Sequence, residues 1–267
     1  MKKIIKTINE DKGMVQVTTT NERWYTKTVK DKEGIPFTKF VPSVTWICNS
    51  YPKSIPFYKW LASKGWDEAE AIKTERGKEG SKIHFGIEDL LNGKEIKMTD
   101  KYLNTIKNTD EELTLEEYEA LMSFKDWHDS ITLKLIATEF TVFSEIYNCA
   151  GTVDLLGILN DELWILDWKS SKSIWPSFEL QESAYKQGIK EDKELVSKIK
   201  ELGFNIDDAK LGILQVGYSM NKKRYKFTEV KDKFDVFLAT KKIWENDHGN
   251  ELPKQRDYPT SIKLSTG

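Results

Sequence analysis

Two apolar segments, GTVDLLGIL and LWILDWK, constrain the fold more than any other part of the chain. Only three residues, Asn160, Asp161 and Glu162, connect them. Both segments are rich in Val, Leu, Ile and Trp, a pattern typical of interior strands that are covered on both faces of a sheet. Turn-forming residues between two such strands predict a β-hairpin. We therefore expect this hairpin in the interior of the protein.

The predicted hairpin also carries two carboxylates and an ammonium group, from Asp154, Asp167 and Lys169. Side chains alternate between the two faces of a strand, so Asp167 and Lys169 point the same way. A two-residue turn at Asn160-Asp161 places Asp154 directly opposite Asp167. A turn at Asp161-Glu162 places Asp154 opposite Lys169 instead. Either register brings the three groups onto one face, whereas a three-residue loop would not.

Such a grouping of Asp154, Asp167 and Lys169 has two interpretations. Neighbouring buried carboxylates repel each other and lose hydration, which destabilises the fold unless a cation shares the site. Mg²⁺ takes oxygen ligands from one or two carboxylates and keeps waters that a phosphate can displace, so the first interpretation is a divalent metal site. The second is an ion pair between Asp167 and Lys169, with Asp154 facing solvent.

Polar residues also lie on two predicted helices. A helix is predicted from Phe178 to Ile189, with Gln181 and Tyr185 four residues apart on one face. A second helix is predicted from about Ser81 to Leu91 and carries His84. Taken alone, these residues have simpler explanations: Gln181 and Tyr185 border the core, and His84 is a core histidine.

The order of these features resembles the PD-(D/E)XK nuclease superfamily, specifically its RecB-like branch, over roughly residues 41–190. The chain is similar there to mitochondrial genome maintenance exonuclease and its phage and bacterial relatives. The matching features are the His84 helix after Arg76-Gly77 and Gly80, Glu139 on a strand before GTVD, Asp154, the Asp167-Trp168-Lys169 signature, the Gln181-x-x-x-Tyr185 helix and the VPSVTWI segment from Val41 to Ile47. This order is far more specific than any single motif.

The resemblance implies a set of metal ligands. Asp154 and Asp167 would hold the ion, with the main-chain carbonyl of Trp168 and the imidazole of His84 as further ligands. Glu139 would bind a second ion through water or simply begin a strand. Imidazole beside carboxylates suits Mn²⁺ as well as Mg²⁺, and both one-ion and two-ion sites cleave phosphodiesters.

The resemblance also implies the chemistry. Lys169 would orient or help deprotonate the attacking water and offset charge on the phosphorane. Gln181 and Tyr185 would anchor the substrate or the lysine. The implied activity is that of a metal-dependent DNA exonuclease that prefers single-stranded ends and acts in replication, recombination or repair. A structure-selective endonuclease, a catalytically lapsed nucleic-acid-binding module and a structural or partner-binding protein remain alternatives.

Composition agrees with an intracellular enzyme that binds no iron–sulfur cluster. The 267 residues can bury a substantial core, and 31% of them are charged. Cys48 and Cys149 provide neither a disulfide framework nor the four thiolates of a cluster. No membrane-spanning run or signal peptide is present, and the N-terminal segment does not match a mitochondrial presequence. We therefore expect the protein in the cytoplasm of a bacterial or phage-infected cell.

A formal net charge of -2 neither suggests nor excludes strong nonspecific binding to DNA, because local basic clusters can still contact phosphates. Tryptophan and tyrosine side chains offer stacking surfaces for single-stranded bases. The candidate DNA-binding residues are Arg76, Lys78, Lys82, Lys222, Lys223 and Arg224.

The expected fold class is α/β (α+β), with a restriction-endonuclease-like core whose central mixed β-sheet is flanked by helices. A single nuclease domain is expected, comprising an N-terminal β-meander (1–45), a helical region that carries His84 (46–130), a catalytic core (131–230) and a C-terminal helix and tail (231–267). Within the core, strands are expected at 133–144 and 211–218, with an edge strand at 225–230. The end of the chain, from residue 248, is expected to be irregular.

Overall fold

A computed structural model describes residues 4–10, 13–19, 22–104 and 109–249. Within these ranges the chain is of mixed α+β class, as predicted, with strands in three sheets. The strands are β1 (Ile4–Asn9), β2 (Met14–Thr18), β3 (Arg23–Lys30), β4 (Pro36–Pro42), β5 (Lys101–Asn104), β6 (Thr109–Glu112), β7 (Leu133–Ser144), β8 (Cys149–Leu159), β9 (Glu162–Lys169), β10 (Lys210–Val216) and β11 (Tyr225–Val230). The helices are α1 (Val44–Cys48), α2 (Ile55–Lys64), α3 (Trp66–Leu91), α4 (Leu115–Asp129), α5 (Pro176–Glu191), α6 (Lys193–Glu201) and α7 (Phe234–His248).

The largest sheet has five strands in the order β11-β10-β9-β8-β7. It is mixed, because β10 pairs in parallel with β9 whereas the other pairs are antiparallel. Helices α5 and α6 lie between the two parallel strands in the sequence, as a parallel connection requires. The sheet is buried on both faces: Ile165 packs in a core cluster with residues of α1, α5 and α7, and Leu166 packs in a second one with residues of α3 and α4.

The hairpin of β8 and β9 closes through the two-residue turn Asn160-Asp161. Both residues have positive φ, of 46° and 66°, which the right-handed twist of a tight hairpin favours. Leu155 pairs with Leu166, so the same register continued by one residue places Asp154 opposite Asp167. The first of the two predicted registers is therefore confirmed.

A second, four-stranded sheet in the order β1-β2-β3-β4 confirms the predicted N-terminal meander and adds β1 to it. The sequence of β1, IIKTIN, mixes isoleucines with polar residues and gave no clear alternation. This sheet packs against the central one, where the Tyr25 hydroxyl lies 3.3 Å from Thr152 Oγ1 and Ser43 forms a bridge with Ala150. It therefore covers β8 close to Asp154.

The predicted start of the helix that carries His84 is wrong. Helix α3 begins at Trp66 rather than near Ser81 and runs without interruption through Gly77 and Gly80. Each glycine costs a helix about 1 kcal/mol, which tertiary packing of the remaining turns outweighs. The predicted C-terminal cap is confirmed, with Asn92 in the cap position and Gly93 at a φ of 78°.

Other boundaries agree with the predictions to within a few residues, including those of β7, α5, β11 and α7. The hairpin of β5 and β6 was not predicted, because its strands are short and charged. The tail predicted to be irregular lies, from residue 250 onward, outside the described residues. Among the described helices, none combines the length and the apolar character that crossing a membrane would require.

Candidate active site

Five elements bring the predicted site residues together at one end of the β8–β9 hairpin. Residue by residue, Glu139 lies on β7, Asp154 on β8, Asp167 and Lys169 on β9, His84 on α3, and Gln181 and Tyr185 on α5. The central sheet therefore supplies the acidic groups, while helices on its two faces supply the imidazole, the amide and the phenol.

The imidazole of His84 lies between two carboxylates. Its Nδ1 is 3.6 Å from Asp154 Oδ2 and 3.7 Å from Glu139 Oε1. One ligand atom from each of these three residues lies within 4.8 Å of the other two, close enough to share one cation. Glu139 Oε1 is buried without a hydrogen-bond partner among the described residues. An unsatisfied buried oxygen of this kind is suited to an ion as its partner.

The orientation of His84 is fixed by a main-chain group. Its Nε2 lies 3.2 Å from the carbonyl oxygen of Trp168, and a carbonyl only accepts, so Nε2 carries the donated proton. Nδ1 is then the ring nitrogen that faces Asp154 and Glu139 and is able to bind a metal. The Trp168 carbonyl, expected to bind the metal, accepts this hydrogen bond and keeps a second lone pair that an ion could use.

Glu139 does not begin a strand, as one interpretation held, but lies in the middle of β7. The β7–β8 ladder pairs Thr138 with Leu155 and Phe140 with Val153, so Glu139 lies directly opposite Asp154 on the neighbouring strand. Its φ is 47°, a left-handed conformation that costs a residue with a side chain about 1–2 kcal/mol. Backbone strain of this kind concentrates at functional sites.

Asp167 is held by a different set of partners. Its Oδ2 lies 2.5 Å from Lys169 Nζ, and its Oδ1 accepts a hydrogen bond of 2.9 Å from Gln181 Nε2. Gln181 Nε2 also donates to the Tyr185 hydroxyl at 3.0 Å. Gln181 thus contacts Asp167 directly and Tyr185 contacts Gln181, whereas the resemblance implied that the two residues anchor the substrate or the lysine. Lys169 itself lies 4.7 Å above the ring of Phe178.

Electrostatics of the site reflect this crowding. Burial, with Asp167 and Glu139 close by, raises the pKa of Asp154 to about 8. Burial alone would lower the pKa of His84, but the carboxylates of Asp154 and Glu139 outweigh it and raise that pKa to about 9. Burial likewise opposes the charge of Lys169, yet Asp167 and Asp154 raise its pKa, so the ammonium is retained. The site holds an excess of carboxylates that protons neutralise.

Two further carboxylates were missed in the sequence. Glu182 on α5 is completely buried, and neither of its oxygens has a hydrogen-bond partner among the described residues. Burial, with Asp167 and Asp154 nearby, raises its pKa well above the usual range. Glu88 lies one turn after His84, and burial together with Glu139 raises its pKa. In the sequence, these two glutamates could have been noticed only by position, because Glu182 follows Gln181 directly and Glu88 lies four residues after His84.

We expect the affinity of the site for Mn²⁺ to increase as the pH rises through about 8 to about 9, because protons on Asp154 and His84 compete with the ion. Calorimetric titrations in buffers of different ionisation enthalpy would count the protons released on binding. His84→Ala should bind more weakly and release fewer protons. A wild-type affinity that does not change with pH would contradict this arrangement.

The candidate DNA-binding residues divide into two groups. Arg76 and Arg224 are on the surface, where they pair with Glu79 and Glu119, and both line a cleft beside Ser170. Lys222 and Lys223 are exposed on the β10–β11 connection. The side chain of Lys78 lies outside the described residues.

Lys82 differs from the surface residues Arg76, Lys222, Lys223 and Arg224 because it is buried. Its Nζ lies 2.6 Å from Glu117 Oε2 and donates to the carbonyl of Glu112 at 3.1 Å. The Glu117 side chain also accepts a hydrogen bond from the backbone N–H of Thr114, as part of the capping box at the start of α4. The expectation that Lys82 binds DNA is therefore corrected: it joins α3 to the start of α4.

We expect Lys82→Met to lower the free energy of unfolding by about 3–5 kcal/mol, because it leaves the Glu117 carboxylate buried without its cation. Chemical denaturation would measure the loss. The matched control Arg76→Met, on the exposed face of the same helix, should change stability by less than about 0.5 kcal/mol. Equal effects of the two substitutions would contradict a structural role for Lys82.

A scan against protein-family models and a search of curated proteins gave no match for this chain. The likeness to RecB-like nucleases therefore rests on the order of the motifs and stays a prediction. What the site can do must be argued from its own geometry: three side chains close enough to share a cation, a buried second aspartate and a retained ammonium lie together at the end of one hairpin.

Proposed function

We propose that this protein is a metal-dependent nuclease of the PD-(D/E)XK type that hydrolyses phosphodiester bonds in DNA. The observation that carries the proposal is the gathering of His84, Glu139 and Asp154 within 4.8 Å, beside the ion pair of Asp167 and Lys169. Phosphodiester hydrolysis requires a cation, a positioned water and compensation for negative charge that develops on the phosphate. This set of side chains can meet each requirement.

The donor set suits Mg²⁺ or Mn²⁺. Carboxylate oxygens are ligands for both ions, and the imidazole nitrogen makes Mn²⁺ a good alternative. A cation would give the buried, unpartnered oxygen of Glu139 a ligand and would favour the ionised form of Asp154, whose pKa burial raises. When bound, such an ion polarises the phosphate and lowers the pKa of a coordinated water. His84, Glu139 and Asp154 would hold one ion, and Asp167 lies where it can contribute to the same ion or a second.

Lys169 is best suited to act as a cation. Because Asp167 and Asp154 raise its pKa, a role as the neutral general base is disfavoured. Its ammonium can instead orient the attacking water and offset charge on the transition state. Gln181 and Tyr185 contribute by fixing Asp167, and through Asp167 they fix the ammonium.

The finer parts of the proposal rest on the resemblance. A restriction-endonuclease-like core is supported by the mixed sheet, in which the antiparallel strands β7, β8 and β9 are followed by α5 and the parallel strand β10. An exonuclease with a preference for single-stranded ends is the activity that the motif order implies. Action in the cytoplasm, during replication, recombination or repair, belongs to the same proposal.

The test is incubation with end-labelled linear and circular DNA, each single-stranded and double-stranded, with Mg²⁺, Mn²⁺ or a chelator. An exonuclease degrades linear strands from their ends and leaves circles intact. Cleavage of circular single strands would instead indicate a structure-selective endonuclease. Failure to cut any DNA with either metal would contradict the proposed function and favour the lapsed binding module or the structural protein.

A further inference from the structure

Helix α2 and the turn that follows it expose an unusually apolar surface. None of the ten residues of α2 is buried, although the helix contains Ile55, Phe57, Tyr58, Trp60 and Leu61. The exposed fractions are 72% for Ile55, 55% for Tyr58 and, at the start of α3, 68% for Trp66. A surface helix normally hides such side chains in the core, and contiguous exposed apolar patches mark interaction sites.

The rings on this helix form a connected surface. The Phe57 ring centroid is 5.8 Å from that of Tyr58 and 5.8 Å from that of Trp60. Tyr58 meets Phe57 edge to face, at 76°. These distances are those of interacting aromatic pairs, so the rings support one another while Tyr58 stays open to solvent.

Positive charge is interleaved with the rings. From Asn49 to Trp66 the chain contains Lys53, Lys59 and Lys64 but no Asp or Glu. Lys64 pairs with Glu68 at 2.8 Å, whereas Lys53 and Lys59 have no carboxylate within ion-pair distance in the described part of the chain. Partial burial, and after it the ammonium of Lys73, lower the pKa of Lys53. An anionic partner would offset these positive charges.

This combination discriminates between partners. A second copy of the chain or an unrelated protein could cover apolar side chains, but neither requires lysines without counterions between aromatic rings. Single-stranded nucleic acid presents flat bases for the rings and one phosphate per nucleotide for the lysines. A duplex hides its base faces and fits the rings poorly.

The position of the helix relates it to the candidate active site. Gly65, with a φ of 75°, ends α2 and separates it from α3, and α3 carries Arg76 and then His84 on one continuous axis. At about 1.5 Å per residue, Trp66 is about 27 Å from His84 along that axis. A single strand that lies on α2 and also reaches His84 therefore has to span several nucleotides.

We propose that α2 and Trp66 form a base-stacking platform that grips single-stranded nucleic acid at a distance from the site of cleavage. The chemistry at the other end of that strand rests on the proposed nuclease function, whereas the gripping itself does not. The platform gives long single strands an affinity that short ones lack.

The experiment measures binding of fluorescently labelled oligothymidylate in a chelator, so that cleavage cannot occur. Tyr58→Ala/Trp66→Ala should weaken binding of a long oligothymidylate by about tenfold or more, since each lost stacking contact weakens binding severalfold. A thymidine tetranucleotide should be bound weakly by both proteins. The matched control Ile35→Ala/Phe37→Ala removes two exposed apolar side chains from the N-terminal sheet and should leave the affinity unchanged. Circular dichroism verifies that the variants are folded.

Unchanged binding of the long strand by the folded Tyr58→Ala/Trp66→Ala protein would overturn the platform. So would a self-associated wild type that the double substitution turns into a monomer without loss of oligothymidylate affinity, because a second copy would then be the occupant. Hydrolysis of the p-nitrophenyl ester of thymidine 5′-monophosphate by the wild type with Mn²⁺ separately tests the metal site. If α2 and Trp66 contribute to oligothymidylate binding but the wild type does not hydrolyse the ester, the base-stacking platform stands and the proposed nuclease function is contradicted.

Discussion

Asp154→Asn should abolish DNA cleavage while leaving the metal-free protein at least as resistant to heat as the wild type. The loss of cleavage, of about a thousandfold or more, follows from removing the most central carboxylate of the proposed metal site. The fold should tolerate the change, because the amide oxygen can still accept the hydrogen bond of 2.8 Å from the Trp168 N–H. Above about pH 8, where the wild-type carboxyl is ionised, the change also removes a buried charge near Asp167 and Glu139 and so relieves repulsion.

The pH dependence gives this prediction a second readout. A carboxyl whose pKa is raised from 3.8 to about 8 on folding favours the folded state below its unfolded pKa, and that contribution disappears as the pH rises through about 8. Metal-free wild type should therefore lose stability as the pH rises over this range. Asp154→Asn should lose less, so the difference between the two proteins should grow toward the alkaline side.

Thermal unfolding in a chelator at several pH values, together with a cleavage assay, measures both effects. The matched control is Asp161→Asn, which makes the same chemical change at the exposed turn of the same hairpin and suits its positive φ. This control should retain full cleavage. Cleavage by Asp154→Asn at the wild-type rate would reject the metal site, and a strongly destabilised but active protein would assign Asp154 a structural role.

The parts of this arrangement that the sequence predicted are those that local periodicity determines. Alternation along β9 fixes which side chains accompany Asp167, and a two-residue turn within Asn160, Asp161 and Glu162 allows two registers, either of which brings Asp154 onto the same face. Both depend on neighbours within a few residues, so they could be inferred before any tertiary contact was known. The hairpin at the centre of the candidate site was predictable for this reason.

The other parts depend on contacts between residues that are distant in sequence. Glu139 joins His84 and Asp154 because β7 takes a left-handed residue in mid-strand, and nothing in its local pattern indicates that conformation. Lys82 resembles its basic neighbours in sequence, yet α4 supplies Glu117 to bury it. Glu182 follows Gln181 on α5, where a charged residue suggests a surface position, yet the folded protein buries it completely. Tertiary packing decides each of these positions.

Lys169→Met should also abolish cleavage, but without removing the metal. Methionine keeps much of the length of the side chain and its contact with the Phe178 ring, whereas the ammonium that would orient water and offset developing charge is lost. The expected loss of rate is about a hundredfold or more. Mn²⁺ should still bind, because His84, Glu139 and Asp154 are unchanged.

Stability distinguishes this catalytic role from that of an internal ion pair. Lys169→Met alone leaves Asp167 buried without its cation and should destabilise the fold by about 3 kcal/mol. Asp167→Asn/Lys169→Met removes both charges and keeps an amide oxygen for Gln181, so most of the stability should return. If the pair were only structural, the double variant would also recover cleavage. A stable double variant that binds Mn²⁺ yet does not cut DNA is the outcome that a catalytic role for this pair requires.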